Sequence, residues 1–144
     1  MISIRASRAE EQERLFEIWH DAVRATHGFI SEQDFQFYAG LVRNEMLPAG
    51  GFWVAADDAD RAVGFLHLDG QKVEALFVDP AHHRQGIGRA LMDHALKLSS
   101  TLELDANEQS GAVDFYRSLG FREVGRSELD GAGRPYPLVH MRLG

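Results

Sequence analysis

Cysteine is absent from the 144 residues, which excludes disulfides, thiolate metal sites and a cysteine nucleophile. No apolar run is long enough to cross a bilayer. Met1-Ile2-Ser3-Ile4-Arg5 is too short and too soon charged for a secretion signal, so the expectation is a cytoplasmic protein with no membrane partner. Basic residues are outnumbered, 15 Lys and Arg against 22 Asp and Glu, for a net charge of −7. That balance argues against a nucleic-acid partner and leans toward a cationic substrate. Repeats, low-complexity tracts and linkers are also missing. His82 and His83 are adjacent and point in different directions, and His20, His67, His94 and His140 stand alone as surface or core residues. No metal site is expected. What remains is an ordinary soluble composition of suitable length for one core, expected to be a single domain over residues 1–144.

In chain order, Ile2 to Ala6 alternates as a strand. Ser7 with Glu10 reads as a capping box opening a helix whose apolar face is Leu15, Ile18, Trp19, Ala22 and Val23. After the turn His27-Gly28-Phe29-Ile30, Ser31 with Asp34 caps a second helix carrying Phe35, Tyr38, Leu41 and Val42, before Pro48. Phe52–Ala56, Ala62–Asp69 and Val73–Val78 form an antiparallel meander, its last turn marked by Asp69-Gly70. A helix from Ile87 to Leu98, a strand from Thr101 to Ala106 and a helix around Ala112–Leu119 follow. Two closing strands, Phe121–Ser127 and Pro137–Leu143, flank a segment at Asp130-Gly131-Ala132-Gly133 that reads as flexible. The strand–helix–strand unit from Val73 to Ala106 implies two parallel neighbours. The expected fold is mixed α/β.

The informative stretch is VEALFVDPAHHRQGIGRALMDHALKL, Val73 to Leu98. A strand breaks at Asp79-Pro80 and a polar loop runs through Gly86-Ile87-Gly88 into a helix. The start of a helix leaves backbone N–H groups unpaired and holds anions. Gly86 and Gly88 let a phosphate approach those groups, and Arg84 and Arg89 add charge. A dinucleotide-binding reading fails because Leu91 stands where the third glycine belongs. A nucleoside-triphosphate loop fails for want of Gly-Lys-Ser/Thr.

Leu76-Phe77-Val78-Asp79-Pro80 followed by His82-His83-Arg84-Gln85-Gly86-Ile87-Gly88-Arg89-Ala90-Leu91 resembles the acetyl-CoA motif of the GCN5-related N-acetyltransferases (GNAT family). Leu104-Asp105-Ala106-Asn107-Glu108-Gln109 and Ala112-Val113-Asp114-Phe115-Tyr116-Arg117-Ser118-Leu119-Gly120-Phe121 resemble the second motif of that family, in matching order and separation. Ala25–Ser31, Gly125-Arg126-Ser127 and Pro135-Tyr136-Pro137-Leu138 resemble a small bacterial subgroup described as peptidyl-lysine acetyltransferases.

The resemblance implies a mixed, mostly antiparallel sheet of about six to seven strands, with about four helices on both faces. It implies acetyl-CoA as donor and an amine acceptor, a small molecule or a protein lysine, attacking directly in a ternary complex. Pyrophosphate would sit on the backbone of Arg84, Gln85, Gly86, Ile87, Gly88 and Arg89. The pantetheine arm would pair with Phe77 and Val78. His83 departs from the family's usual glutamine or arginine. The pantetheine-binding asparagine usually stands seven residues before the tyrosine. Here that count reaches Gln109, beside Ser110, with Asn107 just upstream. Tyr116 is the expected proton donor to the departing sulfur. A lysine amine, with an ordinary pKa of about 10.4, must lose a proton before it attacks. Glu74 is the first candidate base and Asp105 the second, with Glu103 behind them. His27, Phe29 and Glu74 are the expected acceptor-side residues. The competing reading is a non-catalytic acyl-CoA-binding module. The chain is expected to be a monomer or a homodimer through its C-terminal strands, the last of them an exposed edge.

Overall fold

The computed structural model describes residues 1–144. Seven strands form one sheet: β1 (Ser3–Ala6), β2 (Phe52–Ala56), β3 (Ala62–Asp69), β4 (Lys72–Val78), β5 (Leu102–Asn107), β6 (Arg122–Ser127) and β7 (Leu138–Leu143). Their spatial order is β1-β2-β3-β4-β5-β7-β6. All neighbours are antiparallel except β4 and β5. The helices are α1 (Gln12–Thr26), α2 (Glu32–Leu41), the short α3 (Leu47–Ala49), α4 (Ile87–Leu98) and α5 (Ala112–Ser118). A π-helical turn at Val42–Met46 joins α2 to α3, so Pro48 stands inside the first turn of α3 rather than ending the helix.

Both sheet faces are covered, and the sequence of β3 shows it. Ala62, Val63, Phe65 and Leu66 are all buried around Gly64, as expected of a central strand packed on two sides. Phe65, with Val54, Ala75 and Phe77, packs against Leu15, Ile18, Trp19 and Phe35 of α1 and α2. Val63 and Leu66, with Leu102, Leu104, Ala106 and Met141, pack against Ile87, Leu91, Met92 and Ala95 of α4 and Tyr116 of α5. Gly64 brings α4 close. A Cβ there would lie 3.0 Å from Ile87 Cγ2, 3.2 Å from the Phe77 carbonyl oxygen and 3.3 Å from Leu91 Cδ1.

Three expectations change. Ser7 does not cap α1; its hydroxyl accepts the Phe52 N–H (3.3 Å), and Glu11 closes a box with Arg8 one residue later. The final strand is not an edge: β7 lies between β5 and β6, so β6 and β1 are the free edges. The Asp130–Gly133 segment is tied down, with Asp130 accepting the N–H groups of Ala132 and Arg134 (both 2.9 Å) and the Tyr38 hydroxyl.

Candidate active site

The parallel neighbours β4 and β5 meet in register only at Lys72 and Glu103, where Glu103 N–H donates to the Gln71 carbonyl (2.9 Å). Beyond that point they splay apart. The Asp79 N–H donates to Val63 (2.9 Å). The alternation of antiparallel bonds therefore turns Ala75 and Phe77 toward β3 and leaves Leu76 and Val78 facing the gap. Across the gap, Glu108 N–H donates to Pro137 (3.0 Å). By the same alternation, even-numbered residues of β5 pair with β7, while Asp105 and Asn107 present their backbones to the gap. Strand backbone in a protein interior needs partners, and an amide-bearing arm laid between Val78 and Asn107 supplies them. Of the two strand residues expected to hold such an arm, Val78 presents its backbone to the gap. Phe77 instead turns its backbone into the sheet and its ring into the acceptor-side cavity.

At the end of β4, Asp79 caps a 3-10 turn by accepting Ala81 N–H (3.0 Å). Arg14 of α1 clamps it (2.6 Å), both side chains being largely buried. His83 follows, exposed, its N–H on the Pro80 carbonyl (3.2 Å). Arg84 and Gly86 then take positive φ, 66° and 75°, which turns the loop into α4. The first helical bond is Ala90 N–H to the Gly86 carbonyl (2.9 Å). The N–H groups of Ile87, Gly88 and Arg89 precede it and have no intrahelical partner. Nothing lies within 4 Å of a Cβ at Gly86. Arg84 and Arg89 are exposed and carry no ion pair, while His82 braces Gln85 (3.2 Å). The loop fits a diphosphate.

Tyr116 is buried beneath this region, edge-on to Phe115 (5.2 Å) and Phe121 (5.6 Å). Its hydroxyl has no partner within the chain and is not sealed from the surface. Burial pushes its pKa up to about 12, so it remains a protonated donor at neutral pH. Ser110 caps the start of α5, accepting Ala112 N–H (3.3 Å) and donating to the Asn107 carbonyl (3.0 Å). Gln109 is exposed, its N–H on Asn107 Oδ1 (2.9 Å).

On the α1–α2 side the gap opens into a cavity of about 620 Å³. Its apolar walls include Trp19, Val23, Ile30, Tyr38, Met46, Phe77 and Tyr136, and Asn107 and Leu138 of the sheet also line it. His27 lines it too, and burial holds its imidazole below the ordinary histidine range, hence neutral. Phe29 stands behind, between His27 (5.4 Å) and Tyr136 (5.9 Å), and does not line the cavity. The β6–β7 connection straps over the opening. Tyr136 donates to Asp34, Arg134 pairs with Asp34 (2.8 Å) and stacks on Phe37 (3.6 Å). Asp34 and Asp130 are thus engaged, whereas Glu45, presented by the π-helical turn, lines the same cavity with no partner. Another concavity, about 580 Å³ around Glu10, Arg14 and Glu17, shares only Arg14, the clamp on Asp79, with the groups described above.

The candidate bases separate. Glu74 is the unmatched residue of a bulge in β4, since His67 pairs with Ala75 and Leu68 with Val73; it is exposed and without partner. Asp105 accepts from Lys72 Nζ (2.8 Å) and from His140 Nδ1 (2.6 Å). Partial burial opposes its charge, but these two donors prevail and hold its carboxyl below the ordinary range. That makes Asp105 a weak proton acceptor at neutral pH. Glu103 is held at the junction, its side chain near Gln71 (3.4 Å). Two lone histidines are not routine surface or core residues: His140 joins Asp105, and His94 packs against Trp53 at a tilt (4.4 Å between ring centres) with Nε2 buried and unpaired.

A splayed parallel pair, a helix start with unpaired N–H groups and a buried tyrosine hydroxyl without an internal partner are the features of an acyltransferase fold. The description "Acetyltransferase (GNAT) domain" matches residues 11–143, and the chain belongs to that family. It is similar to the peptidyl-lysine N-acetyltransferase YjaB of Salmonella typhimurium, 46% identical over 98% of this chain and 97% of the relative. The solution structure of apo YjaB from Escherichia coli superimposes with a TM-score of 0.94 at 45% identity, covering 99% and 97% of the two chains. The PaiA N-acetyltransferase of Thermoplasma acidophilum, in complex with coenzyme A, shares the fold (TM-score 0.78, 22% identity, 99% and 98% covered). The chain is an enzyme that transfers an acetyl group to an amine. A non-catalytic binding module is not favoured.

Proposed function

We propose that the chain acetylates the ε-amine of lysine in peptides or proteins, with acetyl-CoA as donor. The carrying observation is the unpaired gap between β4 and β5, which opens at one end on the anion cradle and on one face on an acidic-rimmed apolar cavity. Acetyl-CoA supplies the activated acetyl thioester. Backbone N–H groups from Arg84 to Arg89 hold its diphosphate, and the gap-facing backbones of Leu76, Val78, Asp105 and Asn107 hold its amide arm. Tyr116 donates to the departing sulfur. The apolar walls of the cavity accept a four-carbon lysine stem, neutral His27 adds no repulsion, and Glu45 attracts positive charge at the rim. The names of the 46% identical relatives support this acceptor class.

Free thiol is to be followed with acetyl-CoA and a panel of lysine peptides, N-terminal amines and small diamines. Turnover concentrated on lysine peptides is the expected result. Faster turnover on small amines by ten-fold or more in kcat/KM overturns the acceptor reading while leaving the donor site intact.

A further inference from the structure

Gly125 to Ser127 stood out in the sequence without gaining a role in donor or acceptor binding. In the fold this segment meets a polar network that crosses four strands on the face carrying the cavity. Lys72 Nζ of β4 donates to Asp105 Oδ2 of β5 (2.8 Å), and Asp105 Oδ1 lies 2.6 Å from His140 Nδ1 of β7. His140 Nε2 in turn lies 2.6 Å from Ser127 Oγ of β6. An ionised carboxylate only accepts, so Nδ1 carries a proton; Nε2 of the neutral ring is then the acceptor and Ser127 the donor. The ring also needs the glycine in its neighbour strand, since a Cβ at Gly125 would stand 3.2 Å from His140 Cδ2.

The network borders the cavity floor. Asn107 and Leu138, register partners, line the cavity. Asp105 and His140 are the next pair along the same face, and Ser127 lies opposite Leu138. The charged or titratable groups around the ring are Asp105 and Glu103 of β5, Lys72 of β4, Arg142 of its own strand and Arg122 of β6, the register partner of Arg142; β6 otherwise contributes Ser127 and Gly125 to this face.

We propose that His140, oriented by Asp105 and reached through the Ser127 hydroxyl, takes up the proton that the acceptor ammonium must lose before attack. The ammonium gives that proton to a cavity water. The water passes a proton to Ser127 Oγ as the Ser127 O–H proton moves to Nε2, and the imidazolium is stabilised by Asp105. The freed amine forms the N–C bond as the C–S bond breaks. Its second proton ends on the sulfur by way of Tyr116, and His140 returns its proton to solvent. Asp105 therefore never has to accept a proton, in keeping with its engagement by two donors. His140 touches no substrate and is a positioning residue acting through Ser127 and water. The inference rests on amine acetylation alone, not on the identity of the acceptor.

The test is the pH profile of kcat/KM from pH 5 to 10 at saturating acetyl-CoA, using whichever primary amine the wild-type chain turns over fastest. Failure of lysine peptides as acceptors then bears on the acceptor and not on the relay. The wild type should show an acid limb from a group that must be deprotonated for turnover, lying on the acid side of the amine's own ionisation at about 10.4. His140→Gln should lose that limb and about 100-fold in kcat near pH 8, with the KM for acetyl-CoA within two-fold. Ser127→Ala, a smaller change should His140→Gln fail to fold, should lower kcat about ten-fold and leave KM in place. Glu74→Gln should keep the limb. The proposal is overturned if either relay variant keeps wild-type kcat, if the limb survives in His140→Gln, or if Glu74→Gln is the variant that removes it.

Discussion

Gly64→Ala tests whether α4, and with it the anion cradle, is set by close approach to the sheet. The added methyl would meet Ile87 Cγ2 at 3.0 Å, Leu91 Cδ1 at 3.3 Å and the Phe77 carbonyl oxygen at 3.2 Å. The Leu91 tip can rotate away, but Ile87 Cγ2 is a branch methyl held by one favoured χ1 in a helix and the Phe77 carbonyl is fixed in the β3–β4 ladder, so α4 has to move outward by a few tenths of an ångström. Overpacking of this kind costs about 1–3 kcal/mol. Reduced unfolded-state freedom offsets about 0.4–1 kcal/mol, leaving a net loss centred on about 1.3 kcal/mol. For a chain of this size the melting temperature should fall by about 2–8 °C. Ile87 is the first residue of α4, so KM for acetyl-CoA should rise as well, and further in Gly64→Val. Gly40→Ala is the opposite control. That glycine lies inside α2 with nothing within 4 Å of a Cβ, and the substitution should raise the melting temperature. A Gly64→Ala protein that melts at or above the wild type would refute the close-approach argument.

Three other outcomes follow from the site. Tyr116→Phe should reduce kcat ten-fold or more while the thermal shift produced by acetyl-CoA stays within 1 °C of wild type, since only a hydroxyl without an internal partner is lost; undiminished turnover removes the tyrosine from the reaction. Glu45→Gln should raise the KM of a lysine peptide two- to five-fold, the scale of an exposed ion pair, with the acetyl-CoA KM unchanged; equal KM values in the two proteins rule out its role at the rim. Burial lowers the folded-state pKa of His27, so below about pH 6.5 the unfolded chain binds more protons. Its contribution is fully present above that value and is lost as pH falls through the lower folded-state value. His27→Gln should flatten the drop in urea midpoint between pH 7.5 and pH 5.5, and an unchanged slope rules the contribution out.

Features encoded within a few residues were legible in the sequence. The meander, the Gly86-Ile87-Gly88 turn, the Ser31 cap and the faces of α1 and α4 each follow from local periodicity or turn chemistry, and the fold class follows with them. Ser7 misled because Ser-x-x-Glu recurs one residue later in function: Glu11 meets Arg8, while the strand neighbour Phe52 claims the serine. Glu45 escaped notice because α2 was expected to end before Pro48, and the π-helical turn that carries the helix on has no periodic signature. His140 escaped for a different reason. Its partners Asp105 and Ser127 lie 35 and 13 residues away in sequence and meet only because β7 inserts between β5 and β6. A lone histidine four residues from the C-terminus gives no hint of that, although the Gly125-x-Ser127 pattern was a usable signal for a ring packed on bare backbone.

The single register pair joining β4 to β5 also has a mechanical meaning. Backbone bonding divides the molecule into a four-stranded half, β1 to β4, and a three-stranded half, β5, β7 and β6. The side chains of α4 and α5 and the Lys72–Asp105 pair do most of the work of keeping the halves together. Such a molecule should exchange amide hydrogens as two cooperative blocks. The donor substrate, bonded to both strand edges, would then act as a removable eighth strand whose departure loosens the C-terminal block each time a product leaves.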